Sequence, residues 1–128
     1  MINDNDEQEQ IKEFEEVFGQ LKTMLYLSDE IMIRLNNTFF ETVSLTLEQL
    51  KDAILKKDDE AVERYAHSIK GSSSSLCYAK ISEIAEGLEK SAHAKESSLY
   101  AEEFGKLSEV FIAASHGYTL WKNKKGQP

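Results

Sequence analysis

Proline is almost missing from this chain, and cysteine with it. The one proline, Pro128, is the last of 128 residues, so no internal ring forces a helix to break. Cys77 is the only cysteine, which excludes an intramolecular disulfide and fits a reducing compartment. Six glycines are few for a β-rich chain that turns often. No run of about 18 apolar residues occurs, so no membrane span is expected. The N-terminus, Met1-Ile2-Asn3-Asp4-Asn5-Asp6-Glu7, has neither the basic nor the apolar segment of a secretory signal. The cytoplasm is the expected location. Positive charge is scarce as well: 15 Lys and Arg stand against 23 Asp and Glu, a formal net charge of −8. A phosphate-neutralising surface needs clustered cations, so nucleic acid is not an expected partner.

What remains reads as one soluble helical domain. The chain is 41% hydrophobic and 30% charged, an ordinary balance for a globular protein with a single core. Residues 1–7 read as a disordered acidic arm, residues 8–122 as the domain, and residues 123–128 as a basic tail carrying Lys124 and Lys125. Ile11, Phe14, Val17, Phe18, Leu21 and Leu25 repeat at helical spacing and predict a first helix. Ser28 is placed to cap a second, with Asp29 and Glu30 complementing its dipole. Met32, Leu35, Phe39, Val43, Leu50 and Ile54 trace its stripe. Ile33, Phe40 and Leu47 widen it, so this helix should meet more than one neighbour. Asp58 or Asp59 caps a third helix running to about Cys77. A fourth starts near Lys80, and His93 to Ser97 reads as a loop. Ser97 or Ser98 is expected to cap the last helix, where Tyr100, Phe104, Leu107, Phe111, Ala114, Tyr118 and Trp121 step by four and three. Short connections between long helices predict an antiparallel up-down bundle. No internal repeat is evident.

The stretch Ala66-His67-Ser68-Ile69-Lys70-Gly71-Ser72-Ser73 carries the chemistry. His67, Lys70 and Gly71 stand at i, i+3 and i+4, neighbours on one helical face. Val62, Tyr65, Ala66, Ile69 and Leu76 fall on another. A neutral imidazole is a good nucleophile near pH 7. A phosphoryl group on its ring would carry roughly −1.5 to −2 charges, which Lys70 could steady as a mobile point cation. Gly71 leaves a gap through which a partner could approach, although glycine inside a helix costs about 0.5–1 kcal/mol. Each residue has a plainer reading. His67 could be an ordinary surface histidine, Lys70 the partner of some acid, and Gly71 a site of close helix packing. His93 and His116 have no matching neighbours, and the three histidines have no metal-ligand spacing.

The same stretch, with Leu76, Ala79, Ile81 and the pair Leu88-Glu89, resembles the histidine-containing phosphotransfer (HPt) domain family. The resemblance implies an all-α fold, a four-helix bundle with an additional N-terminal helix. It implies a phosphorelay intermediate of two-component signalling. His67 would accept a phosphoryl group from a receiver-domain aspartate and pass it to another receiver. Lys70 would steady the phosphoryl oxygens and Gly71 would leave room for the receiver. Receivers of response regulators and of a hybrid sensor kinase would be the partners, and the protein would act as a monomer. Cys77-Tyr78 departs from the family's glycine-alanine, which should alter local packing in the turn after the motif helix.

The chain has no Gly-rich phosphate loop, no Walker pattern and no aspartate cluster for magnesium. Autonomous kinase activity is therefore not expected, nor any cofactor or metal bound by this chain. A divalent metal, magnesium, should come from the partner receiver. Glu63, Arg64 and Ser74 lie near the face of His67 and are candidates for receiver contact, or solvated neighbours. Phe40 and Ile31, at the margin of their stripe, are candidates for an apolar docking patch near His67. The alternative function is a non-catalytic bundle that docks and inhibits a receiver or histidine kinase.

Overall fold

The computed structural model describes residues 4–125. Five α-helices follow one another: α1 (Asp4–Leu25), α2 (Asp29–Leu55), α3 (Asp59–Ser75), α4 (Ala79–His93) and α5 (Tyr100–Lys124), with a 3₁₀ turn at Ser97–Leu99 before the last. The described residues contain no strand. Helices α2 to α5 form the bundle, and α1 packs chiefly along α5. α1 begins at Asp4, so residues 4–7 of the expected arm are helical; residues 1–3 lie outside the described residues. α5 runs through Asn123 and Lys124 of the expected tail, and residues 126–128 again lie outside the described residues.

Local chemistry sets the helix ends. The Ser28 hydroxyl accepts from the Ile31 amide, and the Asp58 carboxylate accepts from the Ala61 amide. Each satisfies a donor that the first turn leaves free. The last helix differs from expectation. Ser97 and Ser98 form part of the 3₁₀ turn, and Leu99 takes the cap position without a side-chain bond. The start of α5 is tied instead by the Tyr100 hydroxyl, which donates to Asp59 Oδ1 at 2.7 Å. That bond links the beginnings of α3 and α5.

The ends of α1, α2, α3 and α4 close in one way. The amides of Leu27, Asp58, Tyr78 and Glu96 bond back to the carbonyls of Lys22, Ala53, Ser73 and Ser91. The residues before them, Tyr26, Lys57, Cys77 and Lys95, have φ of 52, 56, 64 and 59°. This is the Schellman closure, which glycine usually completes. None of the four is glycine here.

The core runs through Leu50, Val62, Ala66, Ile69, Ala85, Leu88 and Leu107, all essentially inaccessible to solvent. α2 packs on both α3 and α5, as its wide stripe required. The departure at Cys77-Tyr78 has a structural answer. Tyr78 is buried, its ring stacked on Phe39 at 4.9 Å, and its hydroxyl donates to Asn36 Oδ1. Asn36 in turn donates to the Met32 carbonyl, so this buried polar pair is satisfied. A larger side chain thus fills core volume at the turn. It leaves the face of His67 untouched.

Candidate functional site

Burying Val62, Ala66 and Ile69 turns the opposite side of α3 to solvent. His67 stands on that side with about two-thirds of its side chain exposed. Its Nδ1 lies 2.6 Å from Glu89 Oε2 on α4. A carboxylate only accepts, so Nδ1 carries the proton and donates. In the neutral ring the lone pair then sits on Nε2. Lys70 Nζ lies 2.6 Å from Glu89 Oε1. One carboxylate therefore holds the imidazole with one oxygen and the ammonium with the other.

The charges respond to that arrangement. Burial alone would raise the Glu89 carboxyl, but hydrogen bonds from Lys70 and His67 outweigh it and hold the group below the usual carboxylate range. The Glu89 hydrogen bond pushes the Lys70 ammonium up. Both groups stay ionised at neutral pH. Lys70 is also fixed through its backbone, whose carbonyl accepts from the Ser82 hydroxyl at 3.3 Å.

Gly71 is open. A Cβ built there meets nothing within 4 Å, so its missing side chain serves no helix contact among the described residues. Beyond it, on the side of α3 toward α2, lies a groove of about 580 Å³. Ile31, Leu35, Phe39 and Val43 of α2 form one wall, and Ser72, Ser75 and Leu76 of α3 the other. Ile31 and Leu35 are exposed despite their apolar character. Ser68, Gly71 and Ser75 of α3 are exposed.

The remaining candidates divide. Glu63 is on the face of His67 but is engaged by His93, whose Nδ1 lies 3.1 Å from Glu63 Oε2. Arg64 is exposed and lies over the Tyr65 ring at 5.0 Å. Ser74 is exposed two turns beyond His67 along α3. Phe40 is half-buried, and its ring packs among Tyr78, Phe111 and Tyr118 at 5.4–5.6 Å against the core. With Ile33 and Asn37, which the Tyr118 hydroxyl bonds, it carries the wide stripe of α2 to α5. Ile31, by contrast, does line an open surface. Spacing along α3 alone does not bring in Glu89, which reaches His67 and Lys70 from α4. Among the described residues, no group of three or more His, Cys, Asp or Glu could hold a metal ion. No described helix is long and apolar enough to cross a membrane.

Comparison with protein families decides the assignment. Residues 34–116 match the family described as Hpt domain. The chain belongs to that family. No curated protein and no solved structure matches it. The matched span of this Hpt protein covers most of α2, all of α3 and α4, and much of α5, and it contains His67, Lys70, Gly71 and Glu89. Helix α1 lies before it, and Tyr118 and Trp121 lie after it. Hpt membership gives the protein its function in phosphorelay signalling, with receiver domains as its class of partner.

Proposed function

We propose that His67 is the phosphoryl acceptor of this Hpt protein and that Glu89 and Lys70 prepare it. The observation that carries this is the shared carboxylate. Glu89 takes a hydrogen bond from His67 Nδ1 and an ion pair from Lys70, each at 2.6 Å. It fixes the tautomer, turns the Nε2 lone pair outward, and keeps a cation one turn away.

In the reaction, Nε2 attacks phosphorus of the acyl phosphate on a docked receiver's aspartate. The N–P bond forms, the P–O bond to the aspartate breaks, and the carboxylate leaves. The proton on Nδ1 stays where it is, held by Glu89, which stabilises the imidazolium as it develops. Lys70 offsets charge on the phosphoryl oxygens. A second receiver reverses the step. The metal and acidic pocket belong to the receiver, since phosphoryl transfer is largely positioning and charge neutralisation. Gly71, with open space where its side chain would be, gives the receiver close approach. The groove edged by Ile31 and Leu35 gives it an apolar foothold, with Arg64 and Ser74 flanking the acceptor. Receivers of response regulators and of a hybrid sensor kinase, met by a monomer in the cytoplasm, fit this reading.

The test is incubation with a phosphorylated receiver. Label should move to the wild-type protein and not to His67→Gln. Equal labelling of the two proteins, or none of the wild type, would overturn the assignment.

A further inference from the structure

The pair His93 and Glu63 is a second copy of the pair His67 and Glu89, turned around. Along α3 the chain reads Val62-Glu63-Arg64-Tyr65-Ala66-His67. Along α4 it reads Leu88-Glu89-Lys90-Ser91-Ala92-His93. Both follow one pattern: apolar, glutamate, cation, any residue, alanine, histidine. The two hexapeptides make a short repeat, 26 residues apart.

The structure sets the two copies against each other. Val62, Leu88, Ala66 and Ala92 are all buried in the seam, and the alanines let the helices approach closely. Because α3 and α4 run antiparallel, the glutamate of each copy meets the histidine of the other. His67 Nδ1 is 2.6 Å from Glu89 and His93 Nδ1 is 3.1 Å from Glu63. His93 is even more exposed than His67, at 80% of its side chain against 66%. Its Nδ1 is likewise set against a carboxylate, so in the neutral ring the lone pair sits on Nε2.

Only half of the site is repeated. The positions that correspond to Lys70 and Gly71 are Glu96 and Ser97. They fall beyond the end of α4 at His93. So the oriented nucleophile is duplicated, while the lysine and the cleared ground for a docked receiver are not. A small donor needs neither.

We propose that His93 is a second phosphoryl acceptor, taking the group on Nε2 from a small N-phosphoryl compound rather than from a receiver. The Nε2 lone pair forms the new N–P bond. The donor's P–N bond breaks, and the amine leaves with the proton it carries. The ring proton remains on Nδ1, held by Glu63. The dianion so placed sits one α4 turn from Glu89 and adds negative charge to the face that His67 shares.

Phosphoramidate is the probe, and intact mass at alkaline pH is the readout. His67→Gln should still gain a phosphoryl group, mapped to His93. The double variant His67→Gln/His93→Gln should gain none, since His116 Nε2 is buried. Adding Glu63→Gln to His67→Gln should slow labelling about fivefold, because a charge-assisted hydrogen bond is roughly twice as strong as a neutral one. The proposal fails if His67→Gln takes up no phosphoryl or if the double variant is still labelled. It fails equally if Glu63→Gln leaves the rate unchanged, which would make His93 merely an exposed imidazole. None of these outcomes depends on receiver transfer to His67.

Discussion

The seam between α3 and α4 and the junction of α1 with α5 are built from opposite materials. The seam uses small residues: Ala66, Ala85 and Ala92 are buried to the last few per cent. Its edge is a row of charges, Glu63, His67, Lys70, Glu89 and His93, paired across the gap. The α1–α5 junction uses rings. Phe14 and Phe18 pack on Trp121 with centroids 5.2 and 4.6 Å apart, and Phe14 meets Tyr118 at 5.3 Å. Packing is close only in places there. A Cβ on Gly117 would come within 2.9 Å of the Gln10 carbonyl, yet a cavity of about 360 Å³ remains near Val17, Cys77 and Ile81. The seam lies inside the matched family span, and the aromatic residues of the junction lie outside it. Small residues bring two helices close enough for side chains on separate helices to share one carboxylate. Rings bury more area and tolerate gaps. The first material suits chemistry and the second suits attachment.

If that division holds, each region can be damaged without the other. Trp121→Ala should have the largest effect, a loss of about 3–5 kcal/mol, the usual cost of removing a large buried ring. Urea unfolding would measure it. Transfer to His67 by the molecules that remain folded should be unchanged, and a parallel loss of transfer would break the division.

Gly71→Leu should do the reverse. Open space at the Cβ means no clash within the fold, and leaving glycine behind in a helix gains about 0.5–1 kcal/mol. Receiver-to-His67 transfer should fall about tenfold or more, ~1.4 kcal/mol in the barrier. Normal transfer by this variant would remove the access argument.

Glu89→Gln sharpens the comparison through pH. The Glu89 carboxyl is held below its ordinary 4.5 in the folded protein. Its contribution to stability is therefore complete above the unfolded value and is lost as pH falls through the lower folded one. Lys70 is raised above its ordinary 10.5, so its share is complete below that value and is lost as pH rises through the higher folded one. Unfolding curves of wild type and variant should differ at neutral pH and converge in acid. A constant difference down to about pH 2 would show that Glu89 contributes through packing instead.

The smallest effect belongs to Cys77→Gly. A side chain at φ 64° carries a left-handed penalty of about 1–2 kcal/mol, partly offset by the packing of this half-buried thiol. A gain of up to about 1 kcal/mol in unfolding free energy is expected, with transfer untouched.

Much of this was legible in the sequence, and the failures have physical causes. Caps that act locally, Ser28 and Asp58, could be read because their partners lie three residues away. Ser97 and Ser98 could not, because Tyr100 fastens the start of α5 to Asp59 at a distance of 41 residues. Helical spacing separated His67 from the core correctly. The same spacing could not tell a wide stripe that reaches two helices from one with an exposed margin, and the half-buried ring of Phe40 packs toward α5. Glu89 was hidden for a related reason. Its role depends on which residue of α4 comes level with His67, and only the seam's register decides that. The matching hexapeptides were visible in the sequence. Their meaning lay in the antiparallel pairing.

Glu89 also sets a limit on how firmly a phosphoryl group can be kept. Lys70 is bound to this carboxylate before any phosphate arrives. On the proposed reading, every increment of cation that the phosphoryl oxygens draw from Lys70 is withdrawn from Glu89. The phosphorylated state is then stabilised only by the difference between two ion pairs. A free lysine would hold the group harder and release it more slowly. A shared one keeps the energy of the phosphorylated histidine near that of the donor before it and the acceptor after it, which suits a carrier that both receives and passes on the group.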